Sequence, residues 1–220
     1  MHLTNYSINK TNENFVAVGE KGSKRPISEI WQLLQLQGYN TNQLWEQIAD
    51  LIIKTIVSIQ PKLSHMYNTC FPRDNHGVGC CELLGFDVIL EHNQDGTLKP
   101  WLLEVNHAPS LNIDTPTDRE IKTQLLIDTF KILRLRNSQP LKEKKAQKEK
   151  LQQRLLSKSS RVDKQEEEDY KRKLRDMNLQ REYKRSLSTK YDRIYPSDDS
   201  QKYNKFMVPE SFPGINNQIT

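Results

Sequence analysis

Apolar positions mark out the elements. Between residues 41 and 61, Leu44, Ile48, Leu51, Ile52, Ile56 and Ile59 recur at helical spacing. The pattern predicts a helix capped by Thr41 or Asn42, with Pro61 just beyond its end. A shorter helix is predicted before it, from a cap at Ser28 through Gln37, with Gly38 as its stop. Two mostly apolar runs, 82–91 and 100–106, flank HNQDGTL and read as strands. Thr117 and Glu120 fit a capping box ahead of Ile121, Leu125, Leu126, Phe130 and Leu133, which predicts a third helix. Residues 2–8 alternate as a short strand or extended segment, whereas 9–25 and 66–79 read as loops. The mixture places the first part of the chain in the α/β (α+β) class, and no internal repeat is present.

The pattern fails from about residue 137. Residues 142–193 are Lys, Arg, Glu and Gln with sparse Leu and Tyr. They fit a long solvated helix or a disordered linker, and the spacing of Tyr170, Leu174 and Met177 supports the helix. The expected organisation is a domain over 1–136, a basic extension over 137–195 and an irregular tail over 196–220.

Charge sharpens that division. Residues 1–136 carry 13 Lys and Arg against 15 Asp and Glu, whereas 137–195 carry 18 against 10. The net charge of +5 therefore belongs to one segment, which suits an acidic partner. Cys70, Cys80 and Cys81 are an odd number with a vicinal pair, which points to a reducing compartment rather than a disulfide framework. Neither a signal peptide nor a transmembrane helix is expected, because no apolar run approaches 18 residues.

The densest chemistry lies in WLLEVNHAPSL, residues 101–111, where a strand runs into Glu104 and Asn106. Asp95-Gly96 is a two-residue hairpin signal. With those two residues as the loop, cross-strand partners have numbers adding to 191. Asp87 then faces Glu104, and Gly85 faces Asn106. Alternation puts Asp87, Glu104 and Asn106 on one face, and Phe86, Val88, Leu103 and Val105 on the other, toward a core. Opposed carboxylates repel, and a hard divalent cation would relieve the repulsion while accepting the Asn oxygen. Two plainer readings stay open: the carboxylates are simply solvated, or a longer loop changes the register. His107 reads as a polar strand-end residue before a ligand, and Cys80-Cys81 as small buried residues before nucleophiles. Neither GxxxxGK[ST] nor GxGxxG occurs.

HLTNYSINK, GSKRP, CCELLGFDVIL, KPWLLEVNHAPSL and DREIKTQLLIDTFKIL together resemble the tubulin tyrosine ligase-like family, most closely its polyglutamylase branch. The blocks stand in family order and cover roughly residues 2–136. The resemblance implies an ATP-grasp fold, here its C-terminal portion, followed by a basic helical extension. It implies a ligase that uses ATP and Mg²⁺ to activate a carboxylate as an acyl phosphate, which the amine of a free amino acid attacks. In polyglutamylases the acceptor is a glutamate side chain, usually in an acidic tubulin tail, and the donor is L-glutamate.

Carried onto matching positions, the resemblance assigns Asp87, Glu104 and Asn106 to Mg²⁺, and Thr4 and Asn5 to ATP. Tyr6, Ser7, Lys24 and Lys122 are assigned to the incoming glutamate. Without the family, Lys122 would read as an exposed helix lysine. The cationic segment is similar in kind to a region that binds the microtubule in some polyglutamylases, and complementary charge with acidic tails would speed encounter.

Family order also places the chain where the catalytic domain is more than half complete, so the 220 residues alone are expected to ligate nothing at a useful rate. The expected setting is a monomer in the cytoplasm on the cytoskeleton, at a cilium or basal body, with neither nucleic acid nor membrane as partner. A glycylase, or a ligase acting on a non-tubulin protein, is the near alternative; Lys24 and Lys122 favour a glutamate donor, because glycine offers only one carboxylate. A non-catalytic microtubule-binding protein is the alternative from another class. Nucleic-acid binding is disfavoured by the ten acids and few aromatics of the extension.

Overall fold

The computed structural model describes Thr11, Glu13 and residues 24–70, 80–133, 161–197 and 199–207. It is a mixed structure of helices and one small antiparallel sheet: α1 (Ile27–Leu36), α2 (Thr41–Cys70), β1 (Gly85–His92), β2 (Leu98–Asn106), α3 (Pro116–Leu133), α4 (Arg161–Ser186) and a 3₁₀ helix, Asp199–Phe206. Contacts divide the chain into two units, 1–52 with 82–126 and 53–81 with 127–220.

In the first unit, α1 does not start at a Ser28 cap. Pro26 holds the N-cap position with φ −60° and ψ 145°, and its carbonyl accepts from Glu29 and Ile30. Pro26 offers no side-chain cap, so its backbone carbonyl alone meets the first turn. The expected stop is present. Gly38 takes φ +90°, and the Tyr39 N–H reaches back to the Leu34 carbonyl at 3.0 Å, a Schellman closure. The cap of α2 is Asn40, one residue earlier than expected. Its Oδ1 accepts from the Gln43 N–H at 3.1 Å. Trp31 and Trp45 meet edge to face at 6.3 Å and tie α1 to α2, while Leu44 and Ile48 are buried.

Helix α2 also runs through Pro61 to Cys70, so proline does not end it and residues 66–70 are not loop. Pro61 costs one backbone bond, to the carbonyl four residues back. Packing of the preceding turns outweighs that loss. In the second unit Ile53 and Val57 are buried with Met207, flanked by Ile194, Tyr195 and Tyr203. The single stripe expected through Ile52, Ile56 and Ile59 is therefore displaced, and Ile59 is exposed.

The tail expected to be irregular supplies part of this core. The 3₁₀ helix delivers Met207, and Tyr195 donates to Asn204 at 2.9 Å. Of the two readings of the extension, residues 161–186 take the helical one. The end of α4 is fastened to α3 by three polar contacts. Arg185 Nε donates to the Ile132 carbonyl at 2.7 Å, the Tyr191 hydroxyl meets Thr129 Oγ1 at 2.8 Å, and the Lys190 N–H donates to Asp128 Oδ2 at 3.1 Å. Among the described residues no helix is long and apolar enough to cross a membrane.

Asp128 is 1% exposed and also takes the Lys131 ammonium at 3.3 Å. Asp128→Ala should lower stability to urea by about 2 kcal/mol, because the Lys190 N–H and the Lys131 ammonium both lose their acceptor. Asp169→Ala, in an exposed pair with Arg172, should cost less than about 0.5 kcal/mol in the same assay.

Candidate functional site

The hairpin sets up the site by a route the sequence concealed. Its loop is not the pair Asp95-Gly96. Asn93 and Thr97 close the turn, with the Asn93 N–H on the Thr97 carbonyl at 2.9 Å and the Gly96 N–H on the Asn93 carbonyl at 3.1 Å. Gly96 takes φ +82°, and Asp95 Oδ1 accepts from both the N–H and the hydroxyl of Thr97. Three residues thus form the loop, and the pairs next to it add to 190, as in Ile89 with Trp101.

Continued unbroken, that register would put Leu103 opposite Asp87 and send Glu104 to the far face. A bulge between Asp87 and Val88 on one strand and Leu102 and Glu104 on the other takes up Leu103 and restores the count. Asp87 then pairs with Glu104, and Gly85 with Asn106, as expected. Leu103 is the correction: it is the bulged residue and 48% exposed, and Leu102 is the partner of Val88.

Asp87, Glu104 and Asn106 share the exposed face. Along it lie Trp101, whose Nε1 donates to Glu91 at 2.7 Å, and Lys99, whose ammonium sits 3.9 Å over the indole ring. Asn106 Nδ2 donates to Glu104 Oε1 at 3.1 Å. The Asp87 carboxyl is raised above its ordinary pKa, first by loss of hydration and then by the hydrogen bond and negative charge of Glu104.

The donor set fits a hard divalent cation. Two carboxylates crowd one another, and a cation between them would relieve the strain that raises Asp87. Asn106 adds a neutral oxygen once its amide turns. Among the described residues no cluster of three or more His, Cys, Asp or Glu is placed to hold a metal ion, so this rung offers two carboxylates with Asn106 beside them.

Helix α3 carries a second cluster of charged groups. It starts two residues earlier than the expected Thr117–Glu120 box. Thr115 is the cap and accepts from the Asp118 N–H at 3.1 Å, Pro116 follows as the first helical residue, and Asp118 Oδ2 accepts the Thr115 hydroxyl at 2.9 Å. Asp118 is buried, and two lysines converge on it, Lys24 from 94 residues away and Lys122 from the next turn of the same helix. Lys24 Nζ contacts Oδ1 at 2.7 Å and Oδ2 at 2.8 Å, and Lys122 Nζ lies 3.1 Å from Oδ1 while donating to the Asn112 carbonyl. Burial alone would raise the Asp118 pKa. Hydrogen bonds from Lys24, Thr115 and Lys122, with the Lys24 charge, outweigh it and hold the carboxyl well below the usual range.

A family model described as Tubulin-tyrosine ligase family matches residues 1–147. The chain belongs to the tubulin-tyrosine ligase family. It is 42% identical over 211 residues to tubulin polyglutamylase ttll6 of Danio rerio, covering 96% of this chain and 26% of that protein. It is 43% identical over 212 residues to tubulin polyglutamylase TTLL13 of Homo sapiens, covering 94% and 25%. A probable beta-tubulin polyglutamylase of Tetrahymena thermophila is 38% identical over 209 residues, covering 93% and 17%. The chain spans about a quarter of the length of the first two relatives.

For this tubulin-tyrosine ligase family chain, the structure brings Lys24 and Lys122 together, and separately Asp87, Glu104 and Asn106. Thr4, Asn5, Tyr6 and Ser7 lie outside the described residues. His107 is exposed at the strand end, and Cys80 and Cys81 are exposed rather than buried, since the chain before β1 is irregular there. Sequence reasoning missed Asp118. Its signal was Thr-Pro-Thr-Asp, a capping box with proline at the first helical position.

The folded Asp118 carboxyl titrates below its unfolded value. Its stabilisation is complete above the unfolded pKa and is lost as pH falls through the folded one. From about pH 5 to pH 2, the wild type should therefore lose more stability than Asp118→Asn, as read by chemical denaturation at each pH.

Proposed function

We propose that this chain carries the metal and donor-amino-acid subsites of an ATP- and Mg²⁺-dependent ligase that adds glutamate to glutamate side chains of tubulin. The observation that carries the reading is the opposition of Asp87 and Glu104 on one exposed rung, with Asn106 alongside. It supports a site for Mg²⁺ with open positions for phosphate oxygens. The names of the relatives supply tubulin and the reaction class.

In this reading Asp87, Glu104 and Asn106 hold the cation through oxygen. Mg²⁺ bound there would offset phosphate charge while the γ-phosphoryl group passes to the acceptor carboxylate. Lys24 and Lys122 pair with the donor's carboxylates and so aim its amine at the activated carbonyl, from which inorganic phosphate leaves as the isopeptide bond forms. The family resemblance gives Tyr6 and Ser7 a role toward the donor, and Thr4 and Asn5 a role toward ATP. Positioning and charge supply the rate, and no protein nucleophile is needed. An ATP-grasp arrangement is the fold in which these roles are met.

Glu104→Gln removes one of the two carboxylates while keeping its shape. Binding of Mn²⁺ as a probe, followed by electron paramagnetic resonance, should weaken at least about tenfold in Glu104→Gln and in Asp87→Asn. Unchanged binding in both variants would sink the metal reading.

The extension contributes affinity for the acidic substrate. Arg172, Lys173, Arg181 and Lys184 are exposed on α4. Co-sedimentation with microtubules should weaken steeply as salt rises, and replacing these four cations with Gln should remove most of that salt dependence. A second reading, microtubule binding without ligation, shares this result. It differs in requiring that Glu104→Gln leave metal-dependent glutamate incorporation at the same blank level as wild type, in the full-length protein.

A further inference from the structure

Lys24 and Lys122 are not independent cations. Both ammonium groups lie within hydrogen-bonding distance of a single oxygen, Asp118 Oδ1. Asp118 is anchored. It is the third residue of α3, its N–H is held by the Thr115 hydroxyl, and its side chain is 4% exposed. Lys122 is fixed a second time by the Asn112 carbonyl. The lysine side chains do reach solvent, at 41% and 20% exposed. Two ammonium groups held on one oxygen lie side by side at one place. That placement suits one carboxylate shared between them, not the two separated ends of a dicarboxylic amino acid.

We infer that Lys24, Asp118 and Lys122 form a single carboxylate subsite, with Asp118 the positioning residue that gathers the two lysines on one ligand group. The inference rests on the donor-site reading above and narrows it. The second carboxylate of a glutamate donor meets its cation elsewhere. The presence of two lysines therefore does not by itself select glutamate over glycine.

The test is an NMR titration of the full 220-residue chain with three probes: L-glutamate, L-glutamine, which lacks the side-chain carboxylate, and γ-aminobutyrate, which lacks the α-carboxylate. Lys24→Met and Lys122→Met should each weaken L-glutamate about tenfold, and both should become indifferent to removal of the same one of its carboxylates. Asp118→Asn should weaken that same contact, with circular dichroism checking that the chain is folded. If Asp118→Asn does not fold, the comparison of the two lysine variants decides alone. Wild type that binds no L-glutamate at millimolar concentration, or lysine variants that bind it as wild type does, would overturn the donor-site reading. Lysine variants that each lose a different carboxylate, or a folded Asp118→Asn with wild-type affinity, would overturn only the single subsite.

Discussion

A carboxylate taken out of water must be met by cations or N–H donors, and helix α3 presents two such groups ten residues apart. Asp118 draws in Lys24 from the far side of α1 and α2 in sequence. Asp128 draws in the backbone of Lys190, from beyond α4. Each acid thus fixes a segment that local propensity leaves free. A surface ion pair would hold such segments weakly, but a buried acceptor makes their departure costly. The candidate donor site and the seating of the extension both follow from this one demand, made once in each unit.

The hairpin follows a different logic. Nothing buried fixes Asp87, Glu104 and Asn106; backbone geometry does. The pairing of Asp87 with Glu104 was legible in the sequence, but for a reason that was wrong. The two-residue loop does not exist, because Asn93 and Thr97 close round three residues. A bulge at Leu103 cancels the extra residue. Two departures from the ideal hairpin leave the site as the ideal would have made it. No local signal marks the bulge: Leu102, Leu103 and the residues around them read as an unbroken strand.

Elsewhere, legibility tracked how local the cause was. Gly38 ends α1 as expected, because a left-handed stop is a property of one residue. The caps were misplaced by one or two residues wherever proline or asparagine could serve in place of the expected serine or threonine. Pro61 was misread as a terminus, since its cost is local while the packing that outweighs it comes from Met207, far along the chain. Asp118 was passed over as a charged residue near a helix start. Its burial depends on Lys24, which lies 94 residues away.

The bulge makes the hairpin sensitive to parity. Between Asp87 and Glu104 the chain must keep both carboxylates on one face, and strand side chains alternate with each residue. A single-residue insertion or deletion inside either strand, between the rung and the turn, would have to be matched by a second irregularity, or the acid would turn to the opposite side. Changes of two residues there leave the alternation intact. The 93–97 turn stands outside this rule, because residues added to a loop leave the strand pairs as they are. An engineer placing a tag in the turn leaves the rung alone, whereas one residue lost from 88–92 turns it over.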